Sequence, residues 1–154
     1  MRKEQLDQQR TRALQKEFQQ GFPHSCGIKL VKLHRGWAES QLEVAPRHTQ
    51  QDGFVHAGVM ATMADHTAGY AGFSVIADEY RILTMEFKIN YLRPASGPRL
   101  RCQARIVKEG KRVLVADSEI FAQQESGEKL VAKALVTLMA VPAYKVASKG
   151  QEKG

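Results

Sequence analysis

The sequence predicts an α+β domain in which one antiparallel β-sheet wraps around a single long central helix. Two short segments rich in β-forming residues precede one long apolar run, and four further segments of this kind follow it. The links between the later segments have hairpin length, which favours antiparallel pairing. No alternation of strand and helix supports a parallel fold. With 154 residues, 43% hydrophobic and 25% charged, the chain fits one domain with its own core.

The N-terminal segment, residues 1–22, is predicted to be a polar helical lead-in that packs loosely on the domain. It is rich in Gln, Arg, Lys and Glu, and Gly21-Phe22-Pro23 should end the helix. It lacks the apolar run of a secretion signal, so we expect a cytoplasmic protein with Cys26 and Cys102 as reduced thiols. No apolar stretch reaches the roughly 18 residues that a membrane span needs, so no membrane association is expected.

Residues 23–142 are expected to form the main domain, which begins with a hairpin. Ile28–His34 and Trp37–Ala45 carry β-forming residues at alternating positions, and Pro46 ends the second strand. A loop with the turn signal Asp52-Gly53 follows. From His56 to near Ser74 the residues are mostly Ala, Met, Gly and other apolar types, which predicts one buried helix.

The four later strands are separated by residues typical of turns. They are predicted at Arg81–Leu92, Arg99–Lys108, Arg112–Ala122 and Lys129–Val141. A three-residue turn after the second of these would place Arg101 opposite Glu119, and Gln103 opposite Asp117. Residues 143–154 are predicted to be a basic, disordered tail.

The formal charge of +7 is unevenly distributed along the chain. Residues 93–112 contain seven basic residues and one acidic residue. Such a patch attracts phosphates, an acidic partner or nucleic acid, although a solvated sheet face is an equally good interpretation. Because no zinc finger, RNP motif or recognition helix accompanies the patch, no nucleic-acid binding is expected.

The most informative residue is Asp65, a carboxylate within the apolar helix. An ionised side chain in a packed helix is costly unless it is paired, which makes it a functional candidate. The helical neighbours of Asp65 are all small, so another backbone or a ligand can approach closely there. These neighbours are Gly58, Ala61, Thr62, Ala68, Gly69 and Gly72. A buried, hydrogen-bonded structural acid is the alternative interpretation.

The start of the same helix is a second candidate site. His56 precedes Ala57 and Gly58, whose backbone N–H groups belong to the unpaired donors of a helix N-terminus and suit a developing oxyanion. At about 1.5 Å per residue, Ala57 and Asp65 lie roughly 12 Å apart along the helix axis. They cannot both contact one carbonyl group. If they act together, a two-fold interface must bring Asp65 of one subunit to Ala57 of another, which predicts a homodimer or a dimer of dimers.

Across residues 27–141 the chain resembles the hotdog-fold acyl-CoA thioesterases, specifically the PaaI-like and 4-hydroxybenzoyl-CoA thioesterase group. The pattern of that family is a polar amide residue, a Gly, His-Gly-Gly, and then a helix bearing Asp or Glu. Here it reads Gln50, Gly53, His56-Ala57-Gly58 and Asp65, and the segment 86–95 adds further similarity. Ala57 replaces a Gly of the family, and Gly69 stands where some relatives carry a Thr or Ser that positions water.

The resemblance implies that the protein hydrolyses an acyl-CoA thioester without a cofactor or a metal. Asp65 would act as nucleophile or general base, and the Ala57 N–H, with Gly58, would polarise the carbonyl. His56 and Gln50 would line the site. The acid and the oxyanion donor would come from opposite subunits. The phosphates of coenzyme A would be bound by Arg93, Lys111 and Arg112.

Two other functions remain open at this point. A non-catalytic acyl-CoA-binding module would keep the same pocket and basic residues. An enoyl-CoA hydratase would use an Asp and a His before the helix, for which Asp52 and His56 are available, but their spacing differs from the hydratase pattern. The histidines have no ligand-like spacing, and His66 is expected to be a packing residue.

Overall fold

The computed structural model describes residues 5–150. Helices α1, α2, α3 and α4 span Gln8–Phe18, Gly21–Cys26, Ala57–Phe73 and Ala143–Gly150, and a short 3-10 turn spans Pro46–His48. Strands β1 to β6 span Lys29–His34, Trp37–Glu43, Tyr80–Tyr91, Arg99–Glu109, Val113–Gln124 and Gly127–Pro142. The predicted strands and the long helix are therefore confirmed, with shifts of a few residues at their ends.

The six strands form one sheet in the order β1-β2-β4-β5-β6-β3. Every neighbouring pair is antiparallel. Helix α3 lies across one face of the sheet and contacts all six strands. This is the predicted architecture of a sheet around one central helix, with β1 and β3 at the two edges.

Small and apolar side chains on the inner face of the sheet allow α3 to pack closely. In β6 the inward row is fully or almost fully buried, and it consists of Ala132, Ala134, Val136, Leu138 and Ala140. Two hydroxyl contacts then fix the rotation of the helix. Ser118 Oγ donates to Ala64 O at 2.9 Å, and the hydroxyls of Ser40 and Thr67 lie 2.6 Å apart. With this side held against the sheet, Asp65 is directed towards β3.

The N-terminal lead-in is docked on the domain, so the expectation of loose packing was wrong. Leu14 and Phe18 of α1 are fully buried. The Phe18 ring lies 4.3 Å from the His66 ring and 4.8 Å from the Tyr70 ring. Arg10 Nε lies 3.0 Å from Asp78 Oδ1. Helix α1 ends before Gly21 as predicted, but a second short helix, α2, begins at that glycine.

The prediction of a disordered C-terminal tail was wrong for residues 143–150. They form α4, which packs beside β3 and β6. The Ala143 N–H donates to Glu79 O at 2.8 Å, which ties the start of the helix to the segment before β3. Residues 151–154, like residues 1–4, lie outside the described part of the chain.

The predicted pairing of β4 with β5 was wrong by two residues. Arg101 pairs with Phe121, Gln103 with Glu119, and Arg105 with Asp117. The turn places Glu109 opposite Leu114, a shift of three residues, and a bulge at Val107 reduces that shift to two. A two-residue shift keeps the same side chains on the outer face of the sheet. Acidic side chains on that face still neutralise part of the positive charge of residues 93–112. Gln103 Nε2 donates to Glu119 at 3.0 Å, and Arg101 pairs with Glu128 at 2.7 Å.

Candidate active site

Asp65 is partly buried on the side of α3 that faces the edge strand β3. Thr84 Oγ1 of β3 donates a hydrogen bond of 2.7 Å to Asp65 Oδ1. A bulge at Met85 interrupts the pairing of β3 with β6 directly after Thr84. Sequence reasoning missed Thr84, although strand alternation with the buried Ile82 could have placed it on the helix-facing side. The hydrogen bond orients the carboxylate and leaves its other oxygen available.

The first turn of α3 has one unused backbone donor. The Gly58 N–H donates to His56 Nδ1 at 2.8 Å, and the Val59 N–H donates to His56 O at 3.0 Å. Among the described residues, the Ala57 N–H has no acceptor. A Cβ at position 58 would lie 3.1 Å from His56 Nδ1, so glycine allows the ring to cap the helix. Because His56 already holds the Gly58 N–H, Ala57 is the donor that remains for a substrate.

One cavity, the β3 cavity, combines three of the predicted site residues. It has a volume of about 460 Å³ and is lined by Gln50, Ala57, Met60, Tyr91, Arg93 and Ala95 among others. Tyr91 Oη donates to Ala57 O at 3.0 Å, and partial burial raises the pKa of Tyr91. Arg93 Nη1 donates to Leu130 O at 2.8 Å. Gln50 is held by its neighbour in the loop, since Gln50 Nε2 donates to Asp52 Oδ2 at 3.3 Å.

A second cavity, the α2 cavity, lies beside the same helix start. It has a volume of about 520 Å³ and is lined by Phe22, Cys26, His48, His56, Val59 and Thr62 among others. The predicted residues His56 and Gly58 both border it. The first turn of α3 therefore lies between two cavities.

The remaining predicted site residues do not join this group within one chain. Asp65 borders neither of these two cavities. Arg112 O accepts a bond of 2.7 Å from Ala140 N, whereas Arg93 contacts Leu130 at the other end of β6. At about 3.3 Å per residue, these two positions along β6 lie roughly 33 Å apart. Arg93 cannot form one phosphate site with Lys111 and Arg112 of the same chain.

Two of the histidines, His48 and His66, have structural partners. His48 accepts from the Ala45 N–H and contacts Cys26 O, at 2.9 and 2.7 Å. His66 packs against the Phe18 and Tyr70 rings, as predicted, and burial lowers its pKa. Within residues 5–150, no group of three His, Cys, Asp or Glu side chains has the arrangement of a metal site. In the same range, no helix is long and apolar enough to cross a membrane.

Comparison with known proteins identifies the family to which this geometry belongs. The model of the thioesterase superfamily matches residues 52–129, which include the start of α3 and Asp65. The chain belongs to the thioesterase superfamily. A thioesterase family protein from Silicibacter pomeroyi has the same fold, with a TM-score of 0.83 and 34% identity over 86% of this chain and 98% of that one.

Two further proteins, one similar in sequence and one in fold, agree with the resemblance seen in the sequence. The 1,4-dihydroxy-2-naphthoyl-CoA hydrolase of Listeria monocytogenes is 27% identical over 68% of this chain and 85% of the relative. The Escherichia coli PaaI protein, from the phenylacetic acid degradation operon, shares the fold with a TM-score of 0.69. It is 24% identical over 77% of this chain and 83% of its own. The hotdog fold and the assignment as a thioester hydrolase are thus confirmed.

Proposed function

We propose that this thioesterase hydrolyses acyl-CoA thioesters at two equivalent sites, each built from two copies of the chain. Each site would combine the Ala57 N–H of one subunit with Asp65 of the partner subunit. The observation that carries the proposal is the unused Ala57 donor in the β3 cavity. A partly buried, oriented carboxylate, Asp65, lies on the same helix but too far away to act on the same carbonyl group. The name of the Listeria monocytogenes relative, a CoA hydrolase, supports coenzyme A as the thiol.

The proposed chemistry needs an oxyanion donor and a carboxylate on opposite sides of one carbonyl group. The Ala57 N–H donates to the thioester oxygen, which becomes negative as the carbon is attacked. Asp65 either attacks the carbon itself or removes a proton from the attacking water. The C–S bond then breaks, and the thiolate of coenzyme A leaves with the electron pair and is protonated. If Asp65 attacked the carbon, water then hydrolyses the resulting acyl-aspartate anhydride, which releases the acid and restores the carboxylate; if water attacked, the acid is released directly. His56 and Gln50 line the site beside the carbonyl group.

The edge strand β3 supports assembly into a dimer. Among the strands of residues 5–150, only β6 pairs with it, so its other edge is open to a second chain. It also carries exposed apolar side chains, with Leu83 and Met85 48% and 54% exposed. Exposed apolar strands at a sheet edge are typical of interfaces. Two β3 strands that pair antiparallel about a two-fold axis would extend the sheet from one subunit into the other.

The hydrogen bonds of β3 select a register for this pairing. Tyr91 donates a hydrogen bond to the Ala57 carbonyl, and Thr84 donates one to the Asp65 carboxylate. With Met85 bulged out of the pairing, placing Tyr91 of one chain opposite Thr84 of the partner subunit puts the two-fold axis at Lys88. Residues that are far apart within a chain then meet across the axis.

The same register gives the basic residues a common role. In this register, the end of β3 just before Arg93 lies beside the start of β3 in the partner subunit, near Ile82. Within each chain, Ile82 pairs with Ala140 of β6. Arg112 contacts that same level of the sheet through Ala140. At about 4.8 Å per strand, Arg93 and the partner's Arg112 would be separated by roughly three strand spacings. Arg93 of one chain and the Lys111-Arg112 turn of the partner subunit would thus bind the phosphates of one coenzyme A molecule.

Mixing two inactive variants tests the shared site directly. Asp65→Asn removes the carboxylate, and Ala57→Pro removes the N–H. If each site uses two chains, the mixed dimer has one site with both groups intact. An equal mixture that exchanges subunits should then recover about a quarter of the parental activity, because half of the dimers are mixed and each has one good site. If both groups act within one chain, no activity returns, and the proposal fails.

A further inference from the structure

Tyr91 lies at the end of β3 and contacts the start of α3 beside the unused backbone donor. We infer that Tyr91 is a positioning residue for the reaction, because its phenol hydroxyl fixes the direction of the Ala57 N–H group. This role rests on the proposed function and adds a residue to that site. Its central contact is the hydrogen bond of 3.0 Å that Tyr91 Oη donates to Ala57 O.

The strand end that carries Tyr91 is held by the neighbouring strand. Tyr91 pairs with Ala132 of β6, which is fully buried on the helix side of the sheet, so the tyrosine side chain points to the same side. Directly after it, the Leu92 and Arg93 N–H groups both donate to Val131 O, at 2.7 and 3.3 Å. The phenol is thus carried by a hydrogen-bonded strand, which is the kind of support that a precise site needs.

The hydrogen bonds around Ala57 hold both of the peptide groups that meet at its Cα atom. The Ala57 N–H shares one planar peptide group with the His56 carbonyl, which accepts from the Val59 N–H at 3.0 Å. The Ala57 carbonyl belongs to the next peptide group and accepts from Tyr91. A carbonyl oxygen has two lone pairs, so it can accept from the phenol as well as from the helix backbone. With both planes held, the N–H direction is fixed.

The first turn of a helix needs support of this kind. Its N–H groups have no partners within the helix, and helix ends fray. His56 caps the turn from the loop side, since the Gly58 N–H donates to its Nδ1. Tyr91 supplies the contact from the sheet side. An oxyanion donor acts best when its direction is set before the reaction, so loss of the phenol hydroxyl should lower kcat more than it changes KM.

The Tyr91 hydroxyl can be removed without removing the ring. Partial burial raises the pKa of Tyr91, so the phenol stays protonated at neutral pH and remains a donor. The side chain also lines the β3 cavity beside Ala57. Tyr91→Phe therefore deletes the hydrogen bond to Ala57 and keeps the aromatic wall of the cavity.

The same tyrosine links the two catalytic groups of one proposed site. In the register proposed above, it lies opposite Thr84 of the partner subunit, which binds the partner's Asp65. Directly opposed residues on adjacent strands have Cβ atoms about 4.5–5.5 Å apart. The donor of one chain and the acid of the other would thus both be attached to one cross-strand pair.

Tyr91→Phe tests the hydroxyl alone. Coenzyme A release is followed for the fastest-hydrolysed of acetyl-CoA, hexanoyl-CoA, palmitoyl-CoA and benzoyl-CoA. The variant should lose at least roughly fivefold in kcat, while KM changes by less than about twofold. The matched control is Tyr144→Phe on α4, a tyrosine that is 70% exposed and lines neither the α2 nor the β3 cavity, and it should keep the parental values. A parental kcat for Tyr91→Phe would overturn the inference.

A double-mutant cycle shows whether Tyr91 acts through Ala57. Ala57→Pro removes the N–H group that the tyrosine directs and keeps the carbonyl at that position. In this background Tyr91→Phe should lower kcat by less than about twofold, because no donor remains to be directed. If the two losses multiply, Tyr91 acts on another group and the inference is wrong. If Ala57→Pro alone keeps the parental kcat, the proposed oxyanion donor fails and the role of Tyr91 fails with it.

Mixed dimers assign the effect to one site. In the equal mixture of Asp65→Asn and Ala57→Pro chains, the working site takes its donor from the Asp65→Asn chain. Tyr91→Phe in that chain should lower the recovered activity at least roughly fivefold, whereas the same change in the Ala57→Pro chain should leave it unchanged. Equal losses from both placements would show a general effect on the dimer and would contradict the inference. If the starting mixture recovers no activity, the shared site fails, and the double-mutant cycle still decides the role of Tyr91.

Discussion

Replacing Ala57 by proline should remove a single N–H group and leave the start of α3 intact. Ala57 is the first helical residue, the position where proline is best tolerated in a helix. His56 has φ −61° and ψ 137°, which is the extended conformation that a residue before proline prefers. The Ala57 N–H has no acceptor among the described residues, so no internal hydrogen bond is lost.

The expected effect is on the chemical step. Loss of one oxyanion donor lowers kcat by roughly 10² to 10³, which corresponds to about 2.7–4 kcal/mol of transition-state stabilisation. The assay follows coenzyme A released from the acyl-CoA that the parent hydrolyses fastest, with a thiol-reactive dye, and circular dichroism follows thermal unfolding. The proline variant should lose kcat while its KM changes less and its melting temperature stays close to that of the parent. Ala57→Gly, which keeps the N–H, should retain most of the activity.

Two results would refute this reasoning. A folded proline variant with the parental kcat would show that the Ala57 N–H does not stabilise the transition state. A glycine variant as inactive as the proline variant would show that the Ala57 methyl group, and not the N–H, is what matters.

Three further predictions concern Asp65 and its surroundings. Asp65→Asn should lower kcat by at least roughly 10³ with little change in melting temperature, whereas a structural acid would give a clear loss of stability. Thr84→Val should lower kcat by roughly tenfold with KM nearly constant, and Thr84→Ser should restore it, because the hydroxyl orients the carboxylate. The lowered pKa of His66 means that the unfolded chain binds a proton more readily than the folded protein. The contribution of His66 to the free energy of unfolding should therefore be fully present above about pH 6.5 and be lost as the pH drops below that value. In melting curves, His66→Gln should weaken this pH dependence.

The sequence by itself determined the elements of the fold. Turn residues and alternating apolar positions are local signals, so six strands and the long helix could be placed within a few residues. Helical geometry is equally local, and it placed Ala57 and Asp65 too far apart for one carbonyl group. The need for a second chain thus follows from the sequence alone, as a prediction.

Tertiary structure decided the contacts between distant segments. Thr84 reaches Asp65 because β3 follows β6 at the sheet edge, a pairing that no local pattern encodes. The hairpin between β4 and β5 closes through the Gly110 N–H and Val113 O, and a bulge at Val107 changes the register again, which the turn residues did not reveal. Only the packing of α2 against α3 formed the α2 cavity.

The basic residues show the same division most clearly. In the sequence, Arg93, Lys111 and Arg112 lie within one charged segment, and their shared charge was visible there. In the fold, a long strand separates Arg93 from the other two, because consecutive hairpin strands turn the chain back and forth across the sheet. Composition fixes which charges are present, and the topology of the sheet fixes which of them can act on one ligand.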